Sequence, residues 1–223
     1  MAILEIRDLH YGYGSGKDRH EVLRGLEASF EQGKLYAVTG KSGAGKSTLL
    51  SLLSALTLPQ QGEILFEGTA TSALDPLEYR RRCVAVIYQD FALFPLLNVT
   101  ENIMYPMELC GVAKDKALSD ARALAAQVGL GEELWDRYPS AISGGEQQRV
   151  AIARGMAMDR RLILADEPTG NLDSENSDQI VRLLLEAAHR NNCCVIVVTH
   201  DPDVAGQADE VLQMRDGVLV RKA

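Results

Sequence analysis

Residues 2–9 alternate roughly between apolar and polar positions, the period of a strand with one buried face. Gly12, Gly14 and Gly16 then break the pattern, which predicts a strand end there. A second candidate strand, 22–30, stops at Gln32-Gly33. The short apolar run 35–39 leads into a glycine-rich turn, and 47–58 then reads as a helix halted before Pro59. Strands are expected again at 62–68 and 83–88. From about 90 to 138 the pattern changes to helix formers, with apolar residues of 114–128 at helical spacing and a stop at Gly129. A helix over 144–158, a strand at 162–165, a helix over 174–190, a strand at 195–199 and a β pair around Gly217 complete the chain. Strands alternating with helices imply an α/β sheet with crossovers and one inserted helical subdomain.

The 223 residues suit one domain or two small ones. Lys and Arg number 23 against 31 Asp and Glu, a net charge of -8. That balance argues against a general nucleic-acid binder, which carries a basic face. It leaves room for a small anion held by backbone and a few cations. No run approaches the ~18 apolar residues of a membrane span. The opening MAILEIRDLH lacks the pattern of a secretory signal. Cys83, Cys110, Cys193 and Cys194 have no metal-site spacing and read as buried thiols of a reducing compartment.

The chemistry concentrates in a few segments. GKSGAGKS, residues 40–47, is a full phosphate-binding loop. Gly40, Gly43 and Gly45 let the backbone curl so that N–H groups converge on phosphate oxygens. Ser42 and Ala44 lie within that curl, and Thr48 follows it. The helix starting near Ser47 adds its positive end. Lys46 can reach the terminal phosphates, and the Ser47 hydroxyl can ligate Mg2+. In RLILADE an apolar strand delivers Asp166 and Glu167 to its carboxyl end, where ligands gather in such sheets. Asp166 suits Mg2+ through water, and Glu167 suits polarisation of an attacking water. SGGEQQR admits two readings: a Ser143–Glu146 capping box, and a second anion site at Gly144 and Gly145. A second phosphate site on one chain suggests a ligand shared between two copies. His200 and Gln89 each follow an apolar strand at the same expected sheet edge. His10, His20 and His189 have no such setting and read as incidental.

These segments, in this order, resemble the ATPase subunit of ATP-binding cassette (ABC) transporters over essentially the whole chain. Gln89 matches the Q-loop, ISGGEQQR from Ile142 the family signature, and Asn171-Leu172-Asp173 the D-loop. Ile142 and Glu146 depart from the usual Leu and Gln. The resemblance implies a P-loop NTPase (RecA-like) core with an N-terminal antiparallel β subdomain and an inserted α-helical subdomain. Residues 1–89 and 150–223 would form the core and 90–149 the helical part. It implies a head-to-tail dimer holding two ATP molecules, each between the phosphate loop of one copy and Ser143, Gly144 and Gly145 of the other. An aromatic after the first strand would stack on adenine: Tyr13, with Tyr11 the alternative. Glu167 becomes the catalytic carboxylate, His200 a γ-phosphate contact, Gln89 a Mg2+ or water contact and Lys46 a charge stabiliser. Glu146, Thr48 and Asp173 join the nucleotide-contacting set.

LADEPTGNLD and YQDFALFPLLNVTENI look like the branch containing lipoprotein-release, macrolide-efflux, peptide-resistance and cell-division ATPases. That implies an integral membrane permease partner docked near 89–107, with the chain peripheral on the cytoplasmic face. Of the apolar residues Phe91, Leu93, Phe94, Leu96 and Leu97 in that stretch, about half are expected to be core. DNA-repair members would need a long coiled-coil insert. Only about ninety residues separate the phosphate loop from the signature, the size of a helical subdomain. Translation-type members carry two cassettes, and this chain has one phosphate loop. A regulator that does not hydrolyse ATP would be expected to lose Lys46, Glu167 or His200. A soluble ABC ATPase uncoupled from transport is the alternative.

Overall fold

The computed structural model describes residues 2–14, 16–158, 160–170 and 172–221. Strand β1 (Ala2–Tyr13) runs through the first expected break, pairing with β2 (His20–Glu31) until Tyr13 lies opposite His20. Gly12 does not end the strand. A Cβ there would sit 2.8 Å from the His20 carbonyl oxygen, so glycine lets two backbones approach. Next come β3 (Leu35–Thr39) and α1 (Lys46–Leu53). α1 stops short of Leu58 because Ala55 turns left-handed at φ 51° and the Leu56 and Thr57 N–H groups both return to the Ser51 carbonyl. Leu49, Leu50, Leu52 and Leu53 already fill its buried face.

β4 (Gln61–Phe66) and the two-residue β5 (Thr69–Ala70) complete an antiparallel sheet ordered β2-β1-β4-β5. Helix α2 (Pro76–Arg82) was absent from the hydrophobic pattern, being mostly charged. Its start is local chemistry: the Asp75 carboxylate accepts from the Leu77 and Glu78 N–H groups, and Pro76 presets the first turn.

β6 (Val84–Ile87) leads to three helices that pack on one another: α3 (Val99–Leu109), α4 (Lys114–Gln127) and α5 (Gly144–Met156). The chain returns through β7 (Leu162–Asp166), α6 (Ser174–Asn191), β8 (Cys194–Val198), α7 (Pro202–Gly206), β9 (Glu210–Arg215) and β10 (Val218–Arg221). The second sheet has the order β10-β9-β3-β8-β7-β6, parallel except for β10.

Both faces of this sheet are covered, which is why its strands are continuous apolar runs. Ile163, Ala165, Val195 and Val197 face a core shared with α3, α4, α5 and α6. Their alternates Leu162, Leu164, Cys194, Ile196 and Val198 face a core shared with α1 and the antiparallel sheet. Each fully buried Leu, Ile or Val contributes about 1.5–3 kcal/mol, so the central strands anchor whatever stands at their ends.

Cys193 and Cys194 are buried as expected, whereas Cys83 and Cys110 are only half-buried; none is in a disulfide. Among the described residues no helix is long and apolar enough to cross a membrane. Residues 90–149 are proposed as a helical unit, and α5 runs across its boundary into the core.

Candidate nucleotide site

The parallel strands bring four predicted segments to one sheet edge. The phosphate loop follows β3, Gln89 follows β6, Glu167 follows β7 and His200 follows β8. None of these segments is adjacent in sequence, so their convergence is a product of the crossovers.

At the phosphate loop, Gly43 is left-handed at φ 77° with open space where a Cβ would stand. Gly45 is left-handed at φ 103°, and a Cβ there would press on Val22 at 2.9 Å. The two glycines thus serve different needs, backbone access and close packing. The Lys46 ammonium donates to the carbonyls of Gly40 (2.8 Å) and Lys41 (3.2 Å), tying the two ends of the loop together. The Ser47 hydroxyl donates to Asp166 at 3.3 Å, joining the loop to the end of β7. Burial pushes the Asp166 carboxyl above its usual range. Hydroxyl and carboxylate oxygens are the donors a hard divalent cation takes, so this pair fits Mg2+. Gly40 lies against Met214 of β9, and Ser42 and Ala44 line a cleft of about 660 Å3.

Glu167 sits in the left-handed region at φ 45°, an expensive conformation for a carboxylate residue. Its backbone N–H donates to Val198 and its carbonyl accepts from Gly170. His200 Nδ1 lies 2.9 Å from Glu167 Oε1, and the His200 backbone N–H donates to Oε2 at 3.3 Å. The carboxylate side chain is 14% exposed and the imidazole 71%. The strained backbone therefore holds a shielded carboxylate beside an accessible histidine. The Gln89 amide packs against Gly170, in the turn that follows Glu167.

Tyr13 is 54% exposed, and its hydroxyl lies 3.2 Å from the Thr48 hydroxyl, beside the phosphate loop. Tyr11 packs edge-on against it at 5.3 Å, and its other side rests on the core. Geometry therefore favours Tyr13 as the ring free to stack. We expect Tyr13→Ala to weaken ATP binding by roughly 5- to 150-fold, the value of about 1–3 kcal/mol for aromatic–base stacking. Titration with a fluorescent ATP analogue checks this; a comparable loss in Tyr11→Ala but not Tyr13→Ala would move the assignment.

The signature segment lies elsewhere. Ser143 and Glu146 make the full capping box: Ser143 N–H donates to the Glu146 carboxylate at 2.7 Å, and Glu146 N–H to the Ser143 hydroxyl at 3.3 Å. That hydrogen bond draws the Glu146 carboxyl below its usual range. Glu146 is thus committed to the cap. Gly145 also has a packing reason, since a Cβ there would sit 2.8 Å from the Asn176 side-chain oxygen. Ser143 and Gly144 are exposed, and neither lines the cleft at the phosphate loop. Asp173 caps α6 by accepting from the Asn176 N–H at 2.9 Å. Its D-loop neighbour Asn171 lies outside the described residues.

The profile of the ABC transporter family matches residues 23–170. The chain belongs to the ABC transporter family. It is 37% identical to the lipoprotein-releasing system ATP-binding protein LolD of Geobacter metallireducens, over 98% of both chains. It is 38% identical to the macrolide export ATP-binding/permease protein MacB of Shigella flexneri, covering 98% of this chain and 34% of that one. The dimeric ATP-binding cassette MJ0796 bound to ADP and Pi superposes with a TM-score of 0.89, at 30% identity over 98% and 97% of the two chains. The chain is an ABC ATPase subunit, with the mixed α/β cassette fold of these relatives, and its chemistry is ATP hydrolysis.

Sequence reasoning missed several residues around this ABC site. His20, read as incidental, lines the cleft beside Ser42 with Val22, Arg24 and Gly217. His10 and His189 also have partners: His10 bridges Asp8 and Glu21, and His189 meets Asp209. No local pattern marks His20, Val22, Arg24 or Gly217 as cleft residues, because β2 and the β9–β10 turn reach the loop only through tertiary pairing.

Proposed function

We propose that the chain is the ATP-hydrolysing engine of a separate integral membrane permease and works as a head-to-tail pair of copies. The observation that carries this reading is the split of the site. The phosphate loop, Asp166, Glu167 and His200 converge on one edge, while Ser143 and Gly144 present an exposed, capped helix start outside that cleft. A helix N-terminus with small residues is an anion surface, and a second copy supplies the ATP it needs. The dimeric state of the similar cassette MJ0796 supports the pairing.

In each shared site the loop N–H groups of Gly40, Ser42, Gly43, Ala44 and Gly45 hold phosphate oxygens. Lys46 offsets their charge, and Ser47 with Thr48 starts the helix that faces them. Ser47 and Asp166, with Gln89, would hold Mg2+, which would supply Lewis-acid neutralisation of the phosphate charge. Glu167 orients and polarises the attacking water, His200 places a donor at the γ-phosphate, and Tyr13 stacks on adenine. Ser143, Gly144 and Gly145 close the site from the other copy, with Glu146 acting through its cap and Asp173 beside the interface. Nucleic acid has no part in this reading.

Likeness to LolD and MacB supports export, extraction or mechanical work on a lipoprotein, peptide or drug-like cargo, with the chain at the cytoplasmic face. Phe91 and Leu93 pack on the core, whereas Phe94 is 39% and Leu96 86% exposed. That exposed pair suits permease docking. A soluble ABC regulator uncoupled from transport is the alternative, and no feature of the site favours it.

Mixing variants tests the shared site. Ser143→Ala and Glu167→Gln chains should each be nearly inactive alone. Their heterodimer concentrates both defects in one site and leaves the other intact, so an equal mixture should recover about a quarter of the parent turnover. Absence of recovery in an ATPase assay would refute the sharing of sites between copies.

A further inference from the structure

The exposed loop of residues 88–98 closes small turns on itself, Phe91 N–H to Tyr88, Ala92 N–H to Asp90 and Leu97 N–H to Phe94, but those turns do not tie it to the neighbouring helices. Phe91 and Ala92 are consecutive left-handed residues, at φ 62° and 45°, a strained pair that persists only if its surroundings fix it. Two side chains do so. Asn102 of α3, fully buried, accepts from the Phe94 N–H and donates to the carbonyls of Phe94, Leu97 and Asn98. Arg154 of α5 donates to the carbonyls of Ala92 at 2.7 Å and Phe91 at 3.0 Å. Its guanidinium also lies over the Phe94 ring, 5.7 Å from the centroid. Among the described residues the partners of this half-buried cation are two carbonyls and a ring rather than a carboxylate. Burial pulls its charged form down, so the loop carbonyls are what compensate it.

Arg154 stands on the last turn of α5, and Ser143 and Gly144 begin the same helix. Phe91 also reaches that beginning: a Cβ on Gly144 would sit 3.7 Å from the Phe91 Cζ. The loop therefore touches both ends of α5, by its carbonyls at one and by a ring at the other. At its start, Gln89 packs against Gly170 beside Glu167.

We propose that Arg154 is a positioning residue that clamps the strained loop 88–98 to the signature helix, so that a displacement of either moves the other. This rests on the shared-site reading above. In that frame a partner pressing on Leu96 displaces α5, and so changes how Ser143 and Gly144 meet the ATP of the other copy. The guanidinium does this because its planar fork bonds the two adjacent carbonyls through separate nitrogens while lying over the Phe94 ring; a lysine has a single nitrogen and no planar face to stack.

Hydrogen exchange by mass spectrometry tests the clamp, in a Glu167→Gln background that retains ATP. In that parent, ATP should slow exchange at residues 142–148 and at 89–97 together. With Arg154→Met added, 142–148 should still gain protection, while 89–97 should exchange about tenfold faster or more and cease to respond to ATP. Arg154→Lys should restore an intermediate response. Peptides of the parallel strands should be unchanged in all three, which separates positioning from general loss of structure. If Arg154→Met folds poorly, Arg154→Lys alone decides. A loop response in Arg154→Lys equal to the parent's would overturn the clamp, as would an undiminished ATP response of 89–97 in a folded Arg154→Met. A parent showing no ATP protection at 142–148 would instead refute the shared site.

Discussion

Glu167→Gln is expected to lower ATP turnover roughly 100- to 10,000-fold, the range for loss of a positioned general base. That corresponds to about 3–5 kcal/mol of transition-state stabilisation. The side chain keeps its length, so an amide oxygen can still accept from the His200 backbone N–H, which now bonds Glu167 Oε2. What disappears is the negative charge beside the imidazole and the capacity to take a proton. ATP binding should therefore survive, and the unhydrolysed nucleotide should hold two copies together. Steady-state phosphate release gives the rate, and gel filtration with and without ATP gives the dimer. Turnover within a few-fold of the parent would remove Glu167 from its assigned role. Alanine would be a poorer probe, because a left-handed φ of 45° suits it no better and the contact to His200 would also go.

Lys46→Ala is the second large effect, and it falls on binding instead. The ammonium now joins the Gly40 and Lys41 carbonyls across the loop. Under the proposed role it would turn to the phosphates, where a hydrogen bond between charged partners is worth about 1.5–3 kcal/mol. ATP affinity should fall roughly 10- to 150-fold, with a further loss from an untied loop. Calorimetric titration measures the first, and the ATP-induced rise in Tm should shrink in parallel. Because α1 is anchored by four buried leucines, the ligand-free fold should tolerate the change. Unaltered affinity would show that the backbone N–H groups alone hold the phosphates.

Much of this site was legible along the chain because its parts are local devices. A glycine that needs a left-handed φ, a hydroxyl three residues before a carboxylate, and an apolar run ending in Asp-Glu are each complete within a few residues. The same locality explains the errors. Periodicity carries α1 past its true end at Leu53, since a left-handed Ala55 leaves no mark on hydrophobicity. α2 leaves no periodic trace because its apolar content is small and its Asp75–Pro76 start is a capping signal rather than a periodic one. Gly12 read as a break when it is a point of strand approach, which depends on a partner strand.

By itself the sequence determined the parallel α/β core, the phosphate loop, the Asp166–Glu167 pair and the capped signature helix. Each follows from backbone sterics or burial acting over one turn or one strand. Only the tertiary structure decided which strand ends share an edge and that Ser47 meets Asp166. It likewise decided that Tyr13 rather than Tyr11 is exposed beside Thr48, and that Arg154 holds a loop some sixty residues away. These depend on crossovers that bring distant segments within hydrogen-bond range, where distances of about 3 Å decide partnership and no spacing along the chain records them.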